Sequence, residues 1–235
     1  MDDHGLAATL AEEAGALLLA MRDEGGAAGD RKSNELLLGR LAAERPLDGV
    51  LSEESKDTPA RLDHQRVWIV DPLDGTREYG EPPREDWAVH VALAVDGEPV
   101  AGAVALPAAG LVLHTGAPAA LAPAVSGPIR LAVSRTRPPS CAGQLVGKLG
   151  ATLVPMGSAG AKAMAVLRGQ VDVYAHAGGQ YEWDSCAPVA VAKAAGLHVS
   201  RLDGSPLRYN QPDPYLPDLL ICRPELASAV LDAVS

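Results

Sequence analysis

The stretch VWIVDPLDGT, residues 67 to 76, decides the fold. Val67 to Val70 form a short apolar run rich in β-branched side chains, which predicts a buried strand. Asp71 follows, and Pro72 is expected to end the ladder while holding Asp71 extended. Asp74-Gly75 is turn chemistry, and Thr76 is a favourable start for a helix. The stretch therefore predicts strand, acidic turn and helix N-terminus in succession. Two carboxylates, Asp71 and Asp74, then stand at the lip of a strand beside free backbone N–H groups. Carboxylates hold a hard cation and N-terminal amides hold an anion, so the pattern suits Mg²⁺ and phosphate together. Taken singly, Asp, Pro and Gly are ordinary turn residues. Their coincidence after a buried strand is what points to chemistry.

The surrounding chain has 235 residues, 47% of them apolar, enough for one large domain or two intimate halves. Aromatic residues make up only 3% and Phe is absent, so the core must be Leu, Val and Ala. A formal charge of −10 argues against broad nucleic-acid binding, which needs a basic face. No apolar run has the length of a membrane span, and Asp2 and Asp3 do not make a signal-peptide start, so no membrane association is expected. Cys141, Cys186 and Cys222 form no Cys-x-x-Cys pair and read as reduced thiols in a cytoplasmic protein.

Before the central stretch, residues 4 to 24 carry leucines on a helical period and stop at Gly25-Gly26. A second helix is expected from Lys32 to Glu44. Asp30 then sits where a cap would sit, and its reading stays open between cap and functional acid. GVLSEES, residues 49 to 55, suggests a short strand ending in Glu53 and Glu54, with a polar surface loop from Lys56 to Gln65. After the central stretch, residues 87 to 106 read as a hairpin around Asp96-Gly97. His90 and His114 lie in strands and read as satisfied core residues. Residues 117 to 128, rich in Pro and Ala, are the expected boundary between an N-terminal α+β half (1–127) and a C-terminal α/β half (128–235). The second half alternates: strands at 129–134, 152–156, 171–176, 197–202 and 216–222, helices at 141–149, 158–169, 184–195 and 224–234. The alternation implies an α/β half with helices covering a sheet.

Glu53-Glu54-Ser55, DPLDGT at 71 to 76 and Glu182-Trp183-Asp184, in that order, resemble the inositol monophosphatase superfamily of Mg²⁺-dependent, Li⁺-sensitive phosphomonoesterases. Arg77-Glu78 after DGT, with EWDSCAPVAV at 182 to 191, is similar to the CysQ-type 3′-phosphoadenosine 5′-phosphate phosphatases. GSAGAKAM (157–164) and residues 201 to 220 are similar to actinobacterial members of that branch. The resemblance covers nearly the whole chain. It implies a layered αβαβα sandwich, a small phosphorylated substrate, two or three Mg²⁺ per site and a homodimer.

The same resemblance makes Glu53, Asp71, Asp74 and Asp184 metal ligands, together with the backbone carbonyl of Leu73. It makes Thr76 the residue that orients an attacking water, Asp30 its carboxylate partner, and Gly75 and Thr76 amide donors to phosphate. Read from the residues alone, Asp184 is a helix cap. Ser134, Arg135, Ser158, Lys162 and His176 are the implied nucleotide contacts. For Ser158 the plain reading is an N-cap, for Lys162 a solvated lysine, and for His176 a polar strand end. His176 stands where some relatives carry an arginine, a departure that leaves the 5′-phosphate contact open or hands it to Arg135 or Lys162. An imidazole with its usual pKa of about 6.5 would hold phosphate less well as pH rises. Tyr181 and Trp183 are candidates to wall an adenine, although Trp183 reads first as core.

Three other readings compete. A haloacid-dehalogenase-type phosphatase also places an acidic motif after a buried strand, but as Asp-x-Asp-Gly-Thr with a nucleophilic first Asp. Here the motif is Asp-x-x-Asp-Gly-Thr, and no covalent aspartyl-phosphate is expected. A non-catalytic metal- or nucleotide-binding module would not need Thr76 and Asp30. Inositol-1-phosphate and fructose-1,6-bisphosphate are the alternative substrates within the superfamily.

Overall fold

The computed structural model describes residues 1–124 and 126–235; Val125, inside the expected boundary at 117 to 128, lies outside the described residues. The strand anticipated at Val67 to Val70 is present and longer, β2 (Arg66–Asp74). It pairs in parallel with β1 (Gly49–Ser52), Val50 lying opposite Trp68. β3 (Ala88–Val95), β4 (Glu98–Leu106) and β5 (Leu111–His114) follow as antiparallel neighbours, giving the order β1-β2-β3-β4-β5. The β3–β4 turn is the expected type I′, with φ of 51° at Asp96 and 79° at Gly97.

Pro72 does not end the ladder. Asp71 pairs with His90 and Asp74 with Ala88, so Pro72 and Leu73 sit in a bulge between them. A bulge tolerates a residue with no N–H to give, and it re-aims the side chains on either side.

Helix α1 (Asp3–Ala20) ends close to the expected place. Helix α2 runs Gly26–Glu44 and so begins well before Lys32. Asp30 is therefore buried within this helix rather than capping it. From the same helix, Ser33 Oγ donates to the Pro72 carbonyl at 2.8 Å, fastening α2 to the bulge. A short helix, α3 (Thr76–Tyr79), starts after Gly75, whose φ of 87° is left-handed.

The second sheet has the order β7-β6-β8-β10-β9. β6 (Arg130–Ser134) runs parallel to β7 (Thr152–Met156) and to β8 (Val173–Tyr181). β10 (Tyr215–Cys222) is antiparallel to β8 and to β9 (His198–Ser200). β8 continues past His176 to Tyr181, through Gly178 and Gly179 at positive φ. The remaining helices are α4 (Ala142–Leu149), α5 (Ala159–Leu167), α6 (Glu182–Ala194) and α7 (Ala227–Val234).

These elements stack as αβαβα. Leu6, Leu10, Leu37 and Leu41 of α1 and α2 pack on Trp68, Val91 and Leu93, the outer face of the first sheet. Ala163, Met164 and Val166 of α5 and Ala187 and Val191 of α6 fill the space between Ile69 and Val104 on one sheet and Tyr174 and Ile221 on the other. α4 and α7 cover the far face with Leu145 and Val230 against Leu131 and Leu220. Small residues let this middle layer close up: a Cβ on Gly102 would lie 2.9 Å from Ala190 Cβ. Among the described residues, no helix is long and apolar enough to cross a membrane.

Candidate active site

The β2 bulge and the first turn of α6 converge. Asp71, Asp74 and Asp184 each offer an oxygen within 4.8 Å of the other two. Asp71 Oδ1 accepts the Leu73 N–H at 3.1 Å, while its Oδ2 is buried with no hydrogen-bond partner. Asp184 Oδ2 accepts the Tyr181 N–H at 2.7 Å, so the cap expected of this residue is real and leaves its other oxygen for the cluster. Asp74 accepts N–H groups from Gly160 (2.7 Å) and Ala159 (3.2 Å), at the start of α5. Glu53 stands outside this tight group, just beyond β1, its N–H 3.4 Å from the Val70 carbonyl. Glu54 follows it, and both glutamates are exposed.

Thr76 Oγ1 lies 3.4 Å from Asp30 Oδ2 and 3.2 Å from the Leu73 carbonyl. The Leu73 side chain is core, so only its backbone faces the acids. Close packing fixes α2 here: a Cβ on Gly26 would collide with Thr76 Cγ2.

So many acids in one buried place perturb one another. Burial, with Glu54 nearby, raises Asp30 to about 7. Desolvation of its carboxyl, with Asp30 and Asp74 close, brings Glu53 to about 7. Burial and Asp74 take Asp184 to about 7, and burial with Glu53 and Asp74 holds Asp71 well above the usual range. Asp74 alone goes down. Burial would raise it, but His90, Lys162 and the Gly160 amide outweigh that and bring it to about 2.

An all-oxygen donor set, crowded with like charge and holding an unpartnered carboxylate oxygen, fits a hard divalent cation. Asp71, Asp74 and Asp184 are the residues able to hold one, with Glu53 at the rim.

A cleft of about 250 Å³ opens beside the cluster, lined among others by Gly75, Thr76, Ser134, Ser158, Lys162 and His176. Ser158 is the N-cap of α5, accepting the Ala161 N–H at 2.8 Å. Lys162 is buried rather than solvated. It donates to the Gly157 and Ser158 carbonyls and lies 5.3 Å from the Tyr174 ring centroid. Arg135 is not on the cleft wall: Glu78 (2.6 Å) and Glu81 (2.8 Å) hold its guanidinium, and Arg137 lines the wall instead. His176 Nε2 lies 2.8 Å from the Gly178 carbonyl, and burial with Lys162 and Arg137 nearby lowers it to about 4. The ring is neutral near pH 7, which removes the loss of phosphate contact expected with rising pH. Tyr181 and Trp183 stack on each other at 4.8 Å, Tyr181 42% exposed and Trp183 packed against the core.

His90 was legible in the sequence only as a core residue. It is fully buried, yet its Nε2 lies 3.1 Å from Asp74 Oδ2 and its Nδ1 3.0 Å from the Trp183 carbonyl. It thus joins the β2 bulge to the helix that bears Asp184. Gly160 leaves room for it, since a Cβ there would strike His90 Nε2. The periodicity of β3 hides this role, because a strand histidine facing inward looks like any other core position.

The chain has known relatives in sequence and in fold. Residues 9–234 match the inositol monophosphatase family. A 3′-phosphoadenosine 5′-phosphate phosphatase from Mycobacterium bovis is 56% identical, over 95% of this chain and 90% of its own. The 3′(2′),5′-bisphosphate nucleotidase CysQ of Escherichia coli is 30% identical, over 80% of this chain and 81% of its own. An inositol monophosphatase structure from Anabaena superposes with a TM-score of 0.81 at 24% identity, over 98% of this chain and 94% of that one. With the fold, the acid cluster and the match across almost its full length in agreement, the chain belongs to the inositol monophosphatase family.

Proposed function

We propose that this chain is a Mg²⁺-dependent phosphomonoesterase that converts 3′-phosphoadenosine 5′-phosphate to AMP and phosphate. The family is metal-dependent, and the substrate is a small phosphorylated molecule. The observation that carries the nucleotide reading is the 56% identity to the mycobacterial phosphatase across nearly all of both chains. The oxygen cluster of Asp71, Asp74 and Asp184 supports the metal.

Phosphoryl transfer asks mainly for positioning and charge neutralisation. In this reading Asp71, Asp74, Asp184, Glu53 and the Leu73 carbonyl hold Mg²⁺. When bound, the ions supply positive charge against the phosphoryl oxygens and make water at the site more acidic. Thr76 orients the attacking water and Asp30 takes its proton. A carboxylate held at about 7 by burial is well matched to that exchange near neutral pH. Water attacks phosphorus, the bond to the 3′ oxygen breaks, and that oxygen takes up a proton from solvent to become the 3′-hydroxyl of AMP. Gly75 and Thr76 amides, with Ser158 and Lys162 across the cleft, face the phosphate groups. The free, buried cysteines suit a reducing compartment, and we infer a cytoplasmic enzyme.

The test is phosphate release from 3′-phosphoadenosine 5′-phosphate, inositol-1-phosphate and fructose-1,6-bisphosphate, with Mg²⁺, with and without Li⁺. The nucleotide should give the highest kcat/KM, and Li⁺ should inhibit. A tenfold advantage for either sugar-type ester would overturn the nucleotide assignment.

A further inference from the structure

The loop between β1 and β2, polar in sequence, buries an arginine. Arg61 is only 3% exposed. Its Nε and Nη2 grip Asp57 at 2.8 and 3.0 Å, in a fork that suits a carboxylate. Its remaining bonds cross to the second half of the chain: Nη1 donates to Asn210 Oδ1 at 2.7 Å and Nη2 to the Gln211 carbonyl at 2.8 Å.

The segment it grips is held from the other side by Glu182, the first residue of α6. Glu182 is 1% exposed. Its two oxygens accept the Asn210 and Gln211 N–H groups at 2.7 and 2.8 Å. Tyr209, also fully buried, bonds the Gly97 carbonyl through its N–H (3.0 Å) and Ser185 through its hydroxyl (3.2 Å). Residues 209 to 211 are therefore a buckle, with the β1–β2 loop on one side and the start of α6 on the other.

Buried charges are a poor way to gain stability, because desolvation offsets most of their attraction. Their value lies in geometry. The loop that Arg61 fixes begins at Glu53, and the helix that Glu182 begins carries Asp184 in its first turn. By contrast, the backbone bonds of the Glu53 segment are long, 3.4 Å at both Glu53 and Ser55. Without such a tie, repulsion among the acids would spread Glu53 and Asp184 apart.

We propose that Arg61 and Glu182 are positioning residues: joined through Asn210 and Gln211, they hold the Glu53 loop and the Asp184 helix at the spacing that Mg²⁺ binding needs. This rests on the metal roles given above to Glu53 and Asp184.

The test is calorimetric titration of Mg²⁺ into metal-free Arg61→Met, Glu182→Gln and Asn210→Gly proteins, with unfolding temperatures and steady-state kinetics alongside. Asn210→Gly is the mildest change. Asn210 has a φ of 56°, which Gly adopts freely, and the variant keeps the N–H bound to Glu182 while losing only the Arg61 acceptor. Loss of a direct outer partner of a metal ligand typically weakens metal binding about 10–100-fold. Arg61 and Glu182 bond no ligand and stand one step further out, so about 3–10-fold is the expected range. Arg61→Met and Glu182→Gln should fall in that range, and Asn210→Gly should weaken binding by at least threefold with little change in unfolding temperature. KM at saturating Mg²⁺ should stay within twofold. If Arg61→Met or Glu182→Gln does not fold, Asn210→Gly decides. Unchanged Mg²⁺ affinity in every folded variant, beside a wild type that binds Mg²⁺, would overturn the positioning role alone. A wild type that binds no Mg²⁺ would overturn the proposed function and this role with it.

Discussion

Thr76 Oγ1 sits between Asp30 Oδ2, at 3.4 Å, and the Leu73 carbonyl, at 3.2 Å. One hydroxyl thus links helix α2 to the bulge of β2. It has a single proton to give, so only one acceptor is satisfied at a time. If Thr76 and Asp30 act as one unit on the attacking water, their losses will not add. Thr76→Ala and Asp30→Asn should each lower kcat by about 100-fold, and the double variant should be no more than about threefold worse than either. A double variant whose loss is the product of the two would show that they act separately.

Within the cluster of Asp71, Asp74 and Asp184, Asp71 has a buried oxygen with no hydrogen-bond partner. Asp71→Asn should cut turnover by more than about 100-fold even at saturating Mg²⁺, since it removes a ligand rather than a ligand's support. The same change relieves repulsion, so the metal-free variant should unfold no lower than the metal-free wild type. Near-normal turnover would refute the ligand role of Asp71.

The raised acids make a prediction about pH and stability. Asp30 and Asp184 are held at about 7 in the folded chain, above their ordinary value of 3.8. The folded state therefore binds more protons than the unfolded state between pH 4 and 7. The stability this supplies is complete below the unfolded values and disappears as pH rises through about 7. Metal-free protein should lose roughly 5 °C or more in unfolding temperature from pH 5.5 to 8. Mg²⁺ should restore most of that at pH 8 and little at pH 5.5, where protons compete for the same oxygens. Scanning fluorimetry with EDTA or Mg²⁺ checks both halves, and a metal-free protein equally stable at the two pH values would contradict them.

Gly160 carries no side chain where His90 meets Asp74. Gly160→Ala should push His90 off Asp74, costing about 1–3 kcal/mol of stability as an overpacked core does. Activity should fall as well. His90→Ala placed on top should restore much of the stability but not the activity, because the space is relieved while the link from Asp74 to α6 is not. A Gly160→Ala enzyme with wild-type stability and turnover would show that His90 has room to move.

His176, lowered to about 4, should not titrate near neutral pH. Substrate KM should stay flat from pH 6 to 8 on its account, and the comparison of wild type with His176→Asn should show no pH-dependent difference there.

The strands and the helix-covered second sheet were legible because their apolar periods are clean. The metal-ligand candidates in β2 were legible because acids, Pro and Gly coincide after a buried run. Three features were not. Gly26 to Asp30 reads as a linker, having two glycines and no apolar residue larger than alanine, yet it is helix because Gly26 must pass against Thr76. Pro72 and the Gly178-Gly179 pair read as strand ends, but a bulge and left-handed glycines carry the ladders through them. His90 and Arg61 gave no local sign of their roles, and Glu182 stood out only as the first residue of the EWD motif. Most of their partners are distant in the chain: His90 meets Asp74 and the Trp183 carbonyl, while Arg61 and Glu182 meet at Asn210 and Gln211.

The two sheets contribute unequally to the acid cluster. Asp71 and Asp74 come from the first sheet, and Asp184 from the helix after β8. During synthesis on a ribosome, the early segment emerges with its acids gathered on a strand but without the final oxygen that completes the set. Under the proposed function, a nascent chain would therefore complete its cation site only after most of its length has been made. Ion capture would then be a late event, one that reports on whether the whole chain has assembled.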